Sequence, residues 1–547
     1  MESALLTSIL NGYNFTGPTL KLGAAIIDGA VHPAAQVAVP LAMLNRHGII
    51  AGATGTGKTV TLQVMAEQLS TAGVPVFLAD IKGDLSGLAQ EAAGSEKLTA
   101  RLAEIGHEFT ARKNPVEFLT LGAGTDGIPV RASVDSFGPI LLSRVLELNE
   151  TQEQVLQLIF HYANTNKLAL DDLKDLKAVL QFLTSDEGKE DLKNLGGVSA
   201  SSASVILRGV TIMQAQGMDP FFGQPEFDSQ DLIRSQGAGV LSVLELPSLS
   251  RQPLLFSTFL MWLLADLFEE LPEAGDLEKP KLVFFLDEAH LLFKGASTAF
   301  VEAIISTVRL IRSKGVGIFF ITQSPADLPA EVLAQLGTRV QHAVRVFTPK
   351  DAQALKEVIA TFPAGELDLK TALTQAGVGE AVITVLSEKG VPTPAAWTKL
   401  TSPGSKIGPA DAEVCAGIIA ASTLAAKYST AIDRDSAHEA LNGDQQTPAT
   451  ASAEKPVSAS GGADVDEEAR RIAESILGKP TTVPASDPLP QYQEPAPAES
   501  APRTPAPSAP APSRQGNDLM DFALDAANMI GREVLRGMFG TRRRRRR

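Results

Sequence analysis

Residues 48–59 read GIIAGATGTGKT, a short apolar run followed by a glycine-rich stretch that ends in Lys58 and Thr59. The run suits a buried strand. The glycine-rich stretch fits G-x-x-x-x-G-K-S/T through Gly52, Ala53, Thr54, Gly55, Thr56, Gly57, Lys58 and Thr59. A loop that wraps an anion must turn successive backbone N–H groups inward, and side chains at the turning positions would block the approach, so glycines are needed there. Lys58 supplies a mobile charge for the β- and γ-phosphates, Thr59 a hydroxyl for magnesium, and the helix expected from this point its positive end. The stretch predicts strand, phosphate loop and helix, with ATP and Mg2+ as ligands.

On either side the pattern continues. Residues 74–80 (VPVFLAD) predict the next strand, and further strands are expected at 116–121, 239–246, 282–287, 317–322 and 340–347. Apolar strands alternating with helices indicate an α/β fold with a mainly parallel sheet. Between 135 and 231 the pattern changes to helix-like stretches at 140–163 and 170–183, read as a helical insertion. The expected division is 1–135 and 233–430 for the two parts of the core, with 136–232 inserted between them.

Residues 282–290 read LVFFLDEAH, which places Asp287 and Glu288 at the C-terminal end of a buried strand. Ligands of open α/β sheets bind at that edge. Asp287 is expected to hold magnesium through water and Glu288 to orient and deprotonate an attacking water. A second strand, GIFFITQ at 317–323, ends in Gln323, a candidate to sense the γ-phosphate or place the water. Asp80 and Lys82, in DIKGDLSG after the 74–80 strand, face the same edge; a nucleotide role and a solvated loop charge are both open for them.

The chain has 547 residues, 44% hydrophobic, enough for a large core, and one cysteine, Cys415, which excludes an internal disulfide or a multi-thiolate metal site. No basic region followed by an apolar core opens the chain, and the longest apolar run, 254–265, is too short to span a bilayer. A cytoplasmic protein without a transmembrane segment is expected. The net charge of -15 argues against coating nucleic acid through bulk positive charge, although a local basic channel is compatible with it.

From about residue 445 the composition turns to Ala, Pro, Ser and Thr, which predicts a disordered linker, placed at 431–515. Within it a short helix is expected at 464–477. An amphipathic helix is expected over 518–539, and Arg542 to Arg547 close the chain with six positive charges. This end is a candidate contact for a protein or another anionic partner.

GATGTGKT, DIKGDLSG, LNETQEQVLQLIF, FFLDEAH and RSKGVGIFFITQSPADLP occur in order, and together they resemble the bacterial HerA-helicase-like ATPases, over most of residues 15–430. The resemblance to the HerA/FtsK class implies a RecA-like P-loop NTPase core, ATP hydrolysis and assembly as a homo-oligomeric, hexameric ring that pumps or unwinds DNA. It also implies Walker A residues at 52–59, Walker B acids at Asp287 and Glu288, a strand-end glutamine at Gln323, and an arginine acting on a neighbouring subunit's site. Arg309 and Arg312 are the first candidates for that arginine, with Arg339 and Arg345 behind them. Only about 47 residues precede the loop's strand, too few for the full β-barrel that precedes the core of HerA itself. A DNA helicase or translocase is the expected function. An ATPase that remodels protein, or an ATP-controlled scaffold, is the alternative.

Overall fold

The computed structural model describes residues 4–443 except 123–125, 197, 247–252, 276 and 295–297. The expected helices at 464–477 and 518–539 and the terminal arginines lie outside the described residues.

The strands, in chain order, are β1 (Thr19–Ile27), β2 (Ala30–Pro40), β3 (Gly48–Ala51), β4 (Val76–Asp80), β5 (Val116–Thr120), β6 (Ile128–Pro129), β7 (Ser235–Gln236), β8 (Ala238–Gly239), β9 (Leu241–Glu245), β10 (Leu282–Leu286), β11 (Val316–Thr322), β12 (Thr338–His342), β13 (Glu380–Thr384) and β14 (Ala396–Leu400). All but the β7–β8 ribbon join one sheet in the order β2-β1-β14-β13-β12-β3-β11-β10-β4-β9-β5-β6. From β12 to β6 every pairing is parallel, so these strands end on the same edge. The α/β fold with a mainly parallel sheet is as expected.

Alternation along each central strand explains why the sequence reads as unbroken apolar runs. Ile49, Phe77, Phe284, Ile318 and Phe320 enter the core on one face, while Ile50, Leu78, Val283, Phe285 and Phe319 enter the core on the other. Both faces are covered, so every position is apolar. The first face carries the helix Pro253–Glu270 and the inserted helices; the second carries the helix Lys58–Thr71 through Leu62, Met65 and Leu69. Phe285 and Phe319 pack with tilted rings 5.2 Å between centres, and Phe77 and Phe284 likewise at 5.0 Å. Trp262 is fully buried within 254–265, so that run is a core helix. No helix among the described residues is long and apolar enough to cross a membrane.

Several expectations change. The stretch 140–163 is two helices, Val134–Val145 and Glu150–Thr165, because the Asn149 side chain and Gln152 form a capping box that starts the second afresh. The 340–347 strand ends at His342. Antiparallel β1, β2, β13 and β14 went unread; β1 pairs with β14 through Gly23↔Leu400, a partnership between opposite ends of the body with no local signature.

The body also runs past 430, where the linker was expected to begin. Ile432 N–H donates to the Gln224 carbonyl at 2.9 Å, and Arg434 holds Asp171 through two bonds at 2.5 and 2.7 Å. The helix Ala437–Asn442 then packs on Leu173–Thr184, so residues 431–443 lie against the helical segment.

Candidate active site

The loop after β3 turns through three glycines in the left-handed half of backbone space: Gly52 at φ 151°, Gly55 at 77° and Gly57 at 111°. At Gly52 a β-carbon would sit 2.5 Å from Cβ of His342, so glycine is required there by space as well as by φ. Gly57 caps the helix Lys58–Thr71 without any side-chain acceptor, which leaves that helix's first amides facing the hollow of the loop. Lys58 is buried, with Nζ donating to the Gly52 carbonyl at 2.7 Å and the Ala53 carbonyl at 3.1 Å. Burial, and then the charge of Lys82, pull its pKa below the usual lysine range.

Two neighbours brace this loop. Ala53 N–H donates to the Ala343 carbonyl at 3.0 Å, and Gly379 N–H to the Thr56 carbonyl at 3.1 Å. Beneath it lies His342, fully buried at the end of β12, with Nε2 3.0 Å from the Thr61 hydroxyl. Burial lowers its pKa to about 4, so the ring is neutral at pH 7 and adds no charge under the phosphate loop. His342 and Gly379 escaped the sequence reading. A histidine ending a buried strand was the one available signal, and only tertiary pairing gives it meaning.

The acid pair stands two strands away. β11 separates β3 from β10; Thr322 is in register with Ala51, and Leu286 with Phe320 and Ala79. Gln323, Asp287 and Asp80 therefore leave the sheet on the edge from which the phosphate loop rises. Asp287 is 1% exposed, and Glu288 is 13% exposed at its side chain. Glu288 has φ 47°, unusual for a residue with a side chain. Its N–H donates to Asp287 Oδ1 at 2.9 Å, and the next N–H, of Ala289, to the Ile321 carbonyl at 2.8 Å. His290 Nδ1 lies 3.2 Å from Glu288 Oε2, near enough for attraction when protonated but not aligned as a hydrogen bond.

Asp80 and Lys82, both open on sequence, separate into different roles. Asp80 is fully buried and accepts from the amides of Lys82, Gly83, Asp84 and Leu85 at 3.1, 2.7, 3.3 and 2.7 Å. It shapes the turn. Lys82 reaches the acids, with Nζ 2.7 Å from Glu288 Oε1 and 3.3 Å from Asp287 Oδ2. Burial pushes Asp287 upward in pKa and Lys82 opposes that; on Glu288 burial acts upward too, but Lys82 prevails and holds the carboxyl below its usual range. Further along the edge, burial and neighbouring carboxylates raise Asp84 to about 6 and Glu245 to about 7.

The arginines divide by edge. Arg312 follows the helix Thr298–Ile311 and precedes β11, at the end of the sheet away from the loop; its charge bears on His47, just before β3. Arg309 lies one turn earlier, exposed. The length of β11, about 20 Å, separates that edge from the phosphate loop, so neither arginine joins this chain's own site. Arg339 lies near the start of β12, with Nη2 on the Leu333 carbonyl at 3.3 Å. Arg345 is exposed on the loop edge, two residues beyond Ala343, and Gln323 is exposed there as well. The structure thus gathers residues 52–59, Asp287, Glu288 and Gln323 and leaves Arg309 and Arg312 apart.

A protein described as probable helicase MJECL08, from Methanocaldococcus jannaschii, is 33% identical over 119 residues, which are 21% of this chain and 21% of that protein. The match therefore spans about a fifth of that relative's length. Among solved structures, the bacterial conjugative coupling protein TrwBdeltaN70 is similar at 14% identity and a TM-score of 0.46, over 74% of this chain and 94% of that one. VirB4 of Thermoanaerobacter pseudethanolicus is similar at 13% identity and a TM-score of 0.43, over 70% and 97%. The family model described as helicase HerA-like C-terminal matches residues 27–547. With a family match over nearly its whole length and a phosphate loop facing an acid pair on one sheet edge, the chain belongs to the helicase HerA-like C-terminal family and is a P-loop ATPase.

Proposed function

We propose that the chain is a magnesium-dependent, ATP-driven DNA helicase or translocase that works as a homo-oligomeric, hexameric ring. The observation that carries the ATP-driven part of the reading is the gathering of the phosphate loop, the Asp287–Glu288 pair and Gln323 on one edge, with β11 between the loop strand and the acid strand. In this reading residues 52–59 wrap the phosphates, with Lys58 on the β- and γ-oxygens. Glu288 takes the proton of the attacking water, and Gln323 reads the γ-phosphate.

A metal would be held by Thr59 and, through water, by Asp287. Among the described residues no group of three or more His, Cys, Asp or Glu can cage a metal. Magnesium binds through one or two protein oxygens together with phosphate and water, and the Thr59 hydroxyl and the Asp287 carboxylate are oxygens of that kind. The Lys82 ammonium at Asp287 shows that the carboxylate already accommodates a cation on that side. When bound, the metal neutralises developing charge on the phosphates. Arg309 and Arg312 lie on the far edge, so in this reading they act on a neighbouring copy's site; Arg345 lies on the loop edge.

ATP hydrolysis by the full chain, with and without double- and single-stranded DNA at low and moderate salt, tests the DNA part. Stimulation that weakens steeply with salt and is abolished by Lys58→Ala is the expected result. Hydrolysis indifferent to DNA contradicts the motor and favours an ATPase that acts on protein, to which the acidic net charge of -15 is no obstacle.

A further inference from the structure

Lys82 lies outside both nucleotide motifs, yet it makes the shortest ion pair described within the acid site. Its placement is built. Asp80, buried at the end of β4, collects four successive amides and fixes the turn from which Lys82 departs, while β4 and β10 run in register so that the turn sits level with Asp287. The recipient is constrained as well: Glu288 holds a left-handed φ of 47°, a conformation that residues with side chains keep only when their surroundings enforce it. Glu288 Oε2 is buried without an aligned hydrogen bond, so the contact of Lys82 with Oε1 at 2.7 Å is what orients the carboxylate. Asp287, at 1% exposure, needs a cation beside it, since a buried carboxylate without one is strongly unfavourable.

We propose that Lys82 is a positioning residue for Glu288 and the counter-cation that magnesium replaces at Asp287 when nucleotide loads. The inference rests on the site assignment above. Two cations cannot share the Asp287 carboxylate at close range without repulsion, and the Lys82 side chain is 40% exposed on a flexible stem, so it can give up the 3.3 Å contact. The shorter contact with Glu288 persists and keeps the base aimed while the metal takes over Asp287. Lys82 is thus a resident charge that makes the metal site habitable before the metal arrives.

The test is a magnesium titration of fluorescent ADP binding to the full chain, together with steady-state ATP hydrolysis, in wild type, Lys82→Ala, Lys82→Arg and Lys58→Ala. With its competitor removed, Lys82→Ala should bind magnesium at a concentration about two- to fivefold lower. Its kcat should fall about tenfold to a hundredfold, with KM for ATP changed by less than about threefold. Lys82→Arg, which keeps the charge, should restore the magnesium midpoint and much of kcat. An unmoved midpoint in Lys82→Ala, a raised kcat, or a loss carried by KM would overturn the proposal. If Lys58→Ala retains binding, the site assignment itself fails; if Lys58→Ala is inactive and Lys82→Ala matches wild type in both readouts, only this inference fails. Matching thermal melts of Lys82→Arg and wild type would separate these effects from misfolding.

Discussion

The two halves of the site are held by different forces. The phosphate loop is braced by backbone bonds, Ala53 to Ala343 and Gly379 to Thr56, over a buried neutral histidine, and by the Lys58 ammonium on the loop's own Gly52 and Ala53 carbonyls. The acid half is held by ion pairs at a half-exposed lysine and by a left-handed glutamate. Backbone bracing yields a preformed anion cradle. Ion pairing yields an arrangement that an incoming cation can exchange. In the proposed assignment, rigidity therefore falls to binding and adjustability to catalysis.

The largest expected effect is on the rigid half. Gly52→Ala forces a β-carbon into His342 at a φ that alanine resists, and nucleotide affinity measured by fluorescent ADP should fall more than about a hundredfold. A loss under about threefold would mean that the cradle is less rigid than its bracing implies. His342→Ala empties a fully buried site and should cost about 2–4 kcal/mol in denaturant unfolding, with weaker nucleotide binding alongside. Asp80→Ala should cost about 2–3 kcal/mol by freeing buried amides, and should lower kcat by loosening Lys82, which sharpens the contrast by reaching the acid half through the backbone.

The smallest effect concerns pH. Glu245 ionises near 4.5 in the unfolded chain and near about 7 in the folded one, so folding favours its protonated form. That contribution is complete below about pH 4.5 and is lost as pH rises through about 7. Glu245→Gln, which cannot ionise, should therefore gain about 1–2 kcal/mol on wild type between pH 5 and 8, after allowance for partial exposure. Equal pH slopes in the two proteins would remove Glu245 as the source.

Legibility in the sequence divides the same way. Residues 48–59 and 282–288 declare themselves because each packs strand, turn and chemistry into a dozen residues or fewer, and the strands are buried on both faces. His342, Gly379 and the roles of Asp80 and Lys82 depend on strands brought side by side from distant segments, so no local pattern carries them. The β1–β14 pairing is hidden for the same reason. Arg309 and Arg312 precede the Gln323 strand in sequence, but a parallel strand carries its two ends to opposite edges, so nearness in the chain became distance in space.

Glu288→Gln bears most directly on the acid pair as the hydrolytic centre. Isosteric and uncharged, the variant should bind ATP with magnesium about as tightly as wild type while kcat falls about a hundredfold or more. Near-normal hydrolysis by a folded, ATP-binding Glu288→Gln protein would contradict the assignment of Glu288 as the base.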